Sequence, residues 1–132
     1  MELSEQEFLK LEEEAKFNIN ADINKSFAIA KQIAQSTNLI HKAASAGLEC
    51  YLYHTQNDEV KSDEKYELAI HFLDKVPDSK EKLRTQMVIA NYTGLIQKDR
   101  NNLSEAYKQF EKCKGIAIQL GETYQLMKTL NN

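Results

Sequence analysis

Apolar residues recur along this chain at the spacing of helices, and short polar segments separate one apolar run from the next. In one clear run, Ile23, Phe27 and Ala30 step by four and three residues, which places them on one helix face. Four glycines and one proline leave few helix-breaking residues, and this favours long helices over a turn-rich β fold. The pattern therefore predicts an all-α chain of about seven helices, near residues 4–18, 23–36, 39–55, 62–76, 80–98, 102–120 and 122–132.

Residues that cap helices stand at several of these boundaries. Ser4 with Glu7 predicts a capping box, in which each side chain accepts a backbone N–H at the helix start. Asn102 with Glu105 gives a similar pair before the sixth helix, and Gly121 suits a helix end. By position, the serines of the chain are assigned to caps and turns. Further boundary residues are Asp22, Ser62 or Asp63, Pro77, and Asp78 or Ser79.

Small and large residues recur after the middle of the chain as they do in a packed helical hairpin. Ala106 follows Gly94 by twelve residues and Phe110 follows four later, with a polar turn between the two helices. A glycine lets the next helix approach closely, so the alanine and the aromatic ring are expected to be buried in the seam, the line of contact between the two helices. The spacing of Ala106 and Phe110 repeats 37 residues earlier, at Ala69 and Leu73.

In these features the chain resembles the tetratricopeptide repeat (TPR) family, whose motif positions are occupied by Gly94, Leu103, Ala106 and Phe110. The resemblance implies a right-handed α-solenoid of antiparallel helical hairpins, because one hairpin alone cannot bury its apolar face. It implies one TPR-like domain over residues 1–132, with hairpins at about 4–36, 39–76 and 80–120 and an unfinished fourth at 122–132.

The resemblance also implies a groove that is lined by the first helix of each hairpin and that binds an extended peptide. The candidate groove residues are Asn91, Leu95 and Lys98 in the third hairpin, Leu48 and Tyr51 in the second, and Lys128 and Asn131 in the fourth. Asparagine suits this role because its amide both donates to and accepts from a peptide backbone. The alternative is that these asparagines are ordinary exposed polar residues.

Charge and composition narrow the range of partners. The net charge of −3 argues against nucleic-acid binding, which needs a basic face. No apolar run in the sequence is long enough to span a membrane, so we expect a cytoplasmic protein that contacts no membrane. Cys50 and Cys113 stand alone, which predicts buried thiols rather than a disulfide or a zinc site.

The sequence contains no pattern typical of catalysis or metal binding. His41, His54 and His71 lack the spacing of metal ligands and are expected at the surface or in the groove. The three glutamates at residues 12–14 are expected to form a solvated helix face. We therefore predict no enzymatic activity, no metal and no cofactor.

The function expected from these features is protein or peptide binding. By analogy with loose repeats of about 40 residues, the chain is expected to be the sensory or scaffold region of a bacterial regulator. The final KTLNN stops in mid-period, so we expect a longer parent protein and an open apolar strip that supports a dimer through the C-terminal helix. The alternative is an architectural or self-association segment of α-solenoid without a groove ligand.

Overall fold

The structure of this protein, a computed structural model, describes residues 1–121, and all regular structure in this range is α-helical. The six helices are α1 (Glu5–Ala21), α2 (Ile23–Ala34), α3 (Leu39–Thr55), α4 (Glu59–Leu73), α5 (Lys80–Asp99) and α6 (Leu103–Leu120). The all-α prediction is confirmed for these residues. The predicted seventh helix at residues 122–132, with Lys128 and Asn131, lies outside the described residues. A right-handed solenoid of the TPR type stays a prediction.

The helix boundaries follow the cap signals of the sequence at several places. Ser4 Oγ accepts the Glu7 N–H at 3.1 Å and the Glu7 carboxylate accepts the Ser4 N–H at 3.0 Å, so the predicted capping box is confirmed. The hydrogen bond from the Ser4 backbone holds the pKa of Glu7 below its ordinary value. Asp22 and Ser79 cap α2 and α5 by accepting a backbone N–H three residues on. Gly121 ends α6 with φ 75°, as expected.

Two cap predictions are wrong. Helix α4 begins at Glu59, three residues before Ser62, because the Asp58 carboxylate caps it. Asn102 precedes α6 but makes no side-chain cap; its amide nitrogen donates to Gln97 Oε1 at 3.2 Å. Both corrections concern the short turn that joins the two helices of a hairpin.

These two turns have the same backbone conformation. Asn57 and Asn101 both adopt φ 61°, a left-handed conformation that asparagine tolerates better than most residues. The residues that follow also agree, with φ −99° and ψ 78° at Asp58 and φ −98° and ψ 74° at Asn102. The α3–α4 and α5–α6 hairpins therefore share one turn, and it recurs after 44 residues.

A step of 44 residues also relates the helices on either side of the turns. It pairs Cys50 with Gly94, Ser62 with Ala106, and Tyr66 with Phe110. Each pair combines residues of a similar kind, namely small, small and aromatic. The 37-residue step that matched Ala69 with Ala106 does not describe the structural repeat.

Buried serines connect consecutive helices between residues 1 and 73, contrary to their assignment to caps and turns. Each hydroxyl donates to a backbone carbonyl of the preceding helix: Ser26 to Ala15 at 2.6 Å, Ser45 to Ala30 at 2.6 Å, and Ser62 to Cys50 at 2.8 Å. All three serines are buried, with exposed fractions of 0–1%. A hydroxyl reaches a main-chain oxygen of another helix only where the two helices approach closely, so each bond marks such a place.

The contacts among the helices divide the chain after Val76 into two compact units. In the first unit α1 packs on α2, α2 on α3, and α3 on α4. Its core includes Phe8, Ala15, Ile33, Leu52 and Ala69, all of which are buried. In the second unit α5 packs on α6 through Met87, Ala90, Cys113, Ile116 and Ala117.

The seam between α5 and α6 depends on the absence of a side chain at Gly94. A Cβ at this position would lie 2.6 Å from Phe110 Cε1, much closer than carbon atoms pack. The predicted close approach at Gly94 is therefore confirmed. Ala69 and Ala106 are buried as predicted, whereas Phe110 is only half-buried although its ring packs against the glycine.

Replacing Gly94 with alanine is expected to lower the free energy of unfolding by about 1–2 kcal/mol, because the new methyl group overlaps the Phe110 ring. Gly115→Ala is the matched control: an added Cβ there meets no heavy atom within 4 Å among the described residues. That variant is expected to gain about 0.5–1 kcal/mol from helix propensity. Urea unfolding measures both changes. A gain in stability for Gly94→Ala would show that the ring does not restrict this position.

Candidate functional site

One cluster in the first unit brings a buried hydroxyl, a buried imidazole and the exposed Glu5 carboxylate together. Ser36 Oγ lies 2.9 Å from His41 Nδ1, and His41 Nε2 lies 3.7 Å from Glu5 Oε2. Ser36 Oγ also accepts the Leu3 and Asn38 N–H groups, each at 3.3 Å. Since these bonds occupy both of its lone pairs, the serine proton points to Nδ1, and we assign the Nε2–H tautomer to the imidazole.

The role of this cluster is structural. Ser36 and His41 are each 1% exposed, so a substrate does not reach the hydroxyl. The His41 ring stacks on Phe8 with the centroids 4.3 Å apart, which joins α3 to α1. His41 is therefore a core residue, and its prediction as a surface or groove histidine is wrong.

Other polar residues divide between the core and the surface. The His54 side chain is 9% exposed and its Nδ1 contacts the Glu59 carboxylate, so it joins the end of α3 to the start of α4. Glu12, from the run expected to be solvated, is buried at 4% exposure, whereas Glu13 is exposed. His71 is exposed as expected. The predicted buried thiols, Cys50 and Cys113, are confirmed.

The groove candidates of the first unit lie on α3. Leu48 is 2% exposed and belongs to the core. Tyr51 is half-buried, with its ring centroid 6.3 Å from that of His54. Leu48 and Leu95 stand 47 residues apart, whereas the structural step of 44 pairs Leu95 with Tyr51. This difference in register explains why Leu48 is a core residue.

The groove candidates of the second unit, Asn91, Leu95 and Lys98, follow one another along one face of α5. Asn91 and Leu95 are half-buried and Lys98 is exposed. Asn91 Oδ1 is buried without a hydrogen-bond partner among the described residues. Contact between these residues and a ligand stays a prediction.

A pocket of about 140 Å³ lies between α3 and α4, beside the end of α2, within the first unit. We refer to it as the α3–α4 pocket. It is lined by Ala34 of α2, by Lys42, Ser45, Ala46 and Glu49 of α3, and by Lys65, Leu68 and Phe72 of α4.

A lysine stands at each end of the α3–α4 pocket, and apolar side chains line the middle. Lys42 and Glu49 lie about 10 Å apart along α3, because a helix rises about 1.5 Å per residue. Lys65 of α4 contacts Glu49 at 3.3 Å and so marks the same end. Ala46 and Leu68 lie between the two ends.

The two lysines differ in their electrostatic environment. Lys65 balances the charge of Glu49, whose side chain is 8% exposed. Lys42 Nζ donates to the Ala34 carbonyl at the end of α2 at 2.8 Å, where the helix dipole favours a cation. An ammonium group has three N–H donors, and this bond uses one of them. The Lys42 end is therefore the electropositive end of the α3–α4 pocket.

Sequence reasoning missed this pocket although one signal for its α3 wall is present. The wall residues stand at i, i+3, i+4 and i+7, which is one helix face: Lys42, Ser45, Ala46 and Glu49. The face chosen from the sequence, with Leu48 and Tyr51, lies about 140° around the helix from it. This polar face of α3 can be recognised as a pocket wall only when Glu49 is known to contact Lys65 on the next helix.

Across residues 1–121, no three His, Cys, Asp or Glu side chains come together as metal ligands. No helix in that range combines the length and the apolar character needed to cross a bilayer. No family model, curated protein or solved structure matches this chain.

Lys65→Met is expected to lower the free energy of unfolding by about 2 kcal/mol, because it leaves the buried Glu49 carboxylate without its cation. Lys61→Met, on the same helix, is the control: Lys61 is exposed and lies 3.8 Å from Asp58, so its loss should cost less than about 1 kcal/mol. Thermal unfolding compares the two variants. Adding Glu49→Gln to Lys65→Met should restore part of the loss, and equal costs for the two single lysine variants would contradict this role of Lys65.

Proposed function

We propose that this chain is a non-catalytic helical-repeat module that binds an extended segment of a partner protein. The observation that carries the proposal is the α3–α4 pocket, whose volume of about 140 Å³ is close to that of a cavity known to hold one benzene ring. Pockets for metabolites and cofactors are larger, roughly 300–1,000 Å³. The volume suits one apolar side chain of a peptide better than a small-molecule substrate.

The lining of the pocket supports an anchor of this kind. Ala46 and Leu68 provide apolar contact in the middle, and Lys42 and Glu49 provide polar contact at the ends. An apolar centre with a polar rim is the usual anatomy of a protein–protein interface. The partner side chain would be the anchor, and polar atoms on either side of it would fix its register.

The wider context of the proposal rests on the resemblance to the TPR family. A right-handed stack of hairpins acting in the cytoplasm, as the sensory or scaffold region of a bacterial regulator, would present this pocket to a partner protein. The net charge of −3 supports a protein partner over a nucleic acid.

Peptides selected from a random displayed library against this chain are expected to bind at the α3–α4 pocket. Leu68→Arg introduces a charge at a lining residue that is 37% exposed. It should weaken binding at least about tenfold, because burial of one apolar anchor contributes roughly 1.5–3 kcal/mol. Val60→Arg is the matched control, since Val60 lies on the same helix outside the pocket and is 71% exposed. Calorimetry measures the affinities, and circular dichroism verifies the fold.

Equal binding by the wild type and by Leu68→Arg would remove the α3–α4 pocket from the binding site. Loss of binding in Asn91→Ala or Tyr51→Ala, with Leu68→Arg unaffected, would assign the site to the groove predicted from the sequence. These positions therefore separate the two candidate surfaces in one series of measurements.

A second function, self-association as an architectural segment, is favoured by one face of α6. Leu103, Tyr107 and Ile118 are 62%, 65% and 61% exposed. They lie within about 60° of one another around the helix axis. Exposed apolar surface of this kind is typical of contacts between proteins. The dimer predicted through the C-terminal helix involves residues 122–132, which are outside the described range.

If self-association is the function, the wild type should sediment as a dimer at high micromolar concentration. Tyr107→Lys combined with Ile118→Lys should then yield a monomer, because two charges in the contact are costly to desolvate. Val60→Lys controls for a charge at an exposed apolar residue of another helix. A monomeric wild type would count against this second function.

A further inference from the structure

We infer that the α3–α4 pocket selects partner segments in which an acidic residue stands two positions from the apolar anchor; this inference rests on the proposed peptide-binding function. The anchor would lie between Ala46 and Leu68, and the carboxylate would contact Lys42. The occupant is a segment within a partner chain, and an Asp or Glu side chain supplies the negative charge.

The dimensions of the pocket match an extended peptide. Ala46 lies four residues from Lys42 on α3, which is about 6 Å along the helix axis. In an extended chain, side chains two residues apart point to the same side and are about 6.6–6.8 Å apart. An apolar side chain over Ala46 therefore places a side chain two positions away at the Lys42 end of the pocket, within reach of that lysine. The peptide continues past the pocket in either direction, so a chain terminus is not needed there.

The charges favour an anion at the Lys42 end. Glu49 is the one carboxylate among the residues that line the pocket, and Lys65 contacts it at 3.3 Å. The Ala34 carbonyl, which accepts from Lys42, belongs to a helix end that carries roughly half a negative charge. The helix end therefore balances only part of the Lys42 charge, and an incoming carboxylate would neutralise the rest. A basic residue at the same place is repelled.

The size of the effect follows from the partial burial of Lys42. Its side chain is half-buried, so a carboxylate beside it is screened less than at an open surface. We take the upper range for solvent-accessible ion pairs and expect about a fivefold change in affinity.

Three peptides with acetylated and amidated ends test the inference, each with one leucine in an alanine–serine background. The first carries glutamate two positions away on both sides of the leucine, and the second carries the same two glutamates directly next to it. The third carries lysine in place of glutamate in the first arrangement. Backbone amide shifts of α3 and α4 in NMR titrations give the affinity and the site. The first peptide should bind about fivefold more tightly than the second, and the third should bind most weakly.

Variants of Lys42 identify the group that selects the acid. Lys42→Met should remove the difference between the first two peptides, whereas Lys42→Arg should keep it because the charge is retained. Lys10→Met is the matched control, since Lys10 is an exposed lysine of α1 outside the pocket. Because Lys42 also bonds the end of α2, melting curves verify folding, and Lys42→Arg keeps the comparison informative if Lys42→Met unfolds.

The possible outcomes separate this inference from the function on which it rests. Equal affinities for all three peptides, with shifts in α3 and α4, would overturn the acidic preference and leave peptide binding in place. An absence of shifts in α3 and α4 with every peptide would overturn both. A fourth peptide that ends at the leucine with an unmodified carboxylate serves as a last comparison. If it binds more tightly than the first, the anion belongs to a chain terminus and the inference is wrong.

Discussion

Three hydrogen bonds from buried serines to backbone carbonyls determine how the helices of the first unit fit together. Each bond joins one hydroxyl to one particular carbonyl, so it sets the rotation of a helix as well as its distance from the preceding one. The bond from Ser45 to Ala30 has a further effect, because Ser45 is also part of the pocket wall. A rotation of α3 by one residue would break this bond and turn Lys42 and Glu49 away from the pocket. The α3–α4 pocket therefore depends on the serine bond that orients α3.

The second unit closes the equivalent seam by different means. At the positions of Cys50 and Ser62, which share a hydrogen bond across α3 and α4, it has Gly94 and Ala106. The missing Cβ makes room for the Phe110 ring, and the contact is one of shape. The two hairpins thus share a turn and a spacing of small residues, yet one seam is joined by a directional polar bond and the other by an aromatic ring on a glycine. A repeat can be kept in the backbone while the interactions that hold it together change.

The sequence was a good guide wherever the decisive interaction is local. Capping residues such as Ser4 and Ser79 bond to atoms within one turn, so their roles were predicted from a few neighbouring letters. Prediction failed where the partner is distant in sequence. Ser62 was predicted to be a cap, but its hydroxyl bonds to the Cys50 carbonyl of another helix. His41 was predicted to lie at the surface, but it packs on Phe8 and bonds to Ser36, which belong to other segments. The pocket was missed for the same reason, since its polar wall is explained only when Glu49 is paired with Lys65.

The order in which the first unit packs has a consequence for how it folds. Its main interfaces join consecutive helices, from α1–α2 to α3–α4, so most contacts form between residues that are close along the chain. Topologies of this kind have low contact order and fold quickly, since little loop entropy is lost before contacts form. The hydrogen bond from the Leu3 N–H to Ser36 Oγ spans 33 residues and forms only when α1 and α2 are packed together, so it closes the first hairpin.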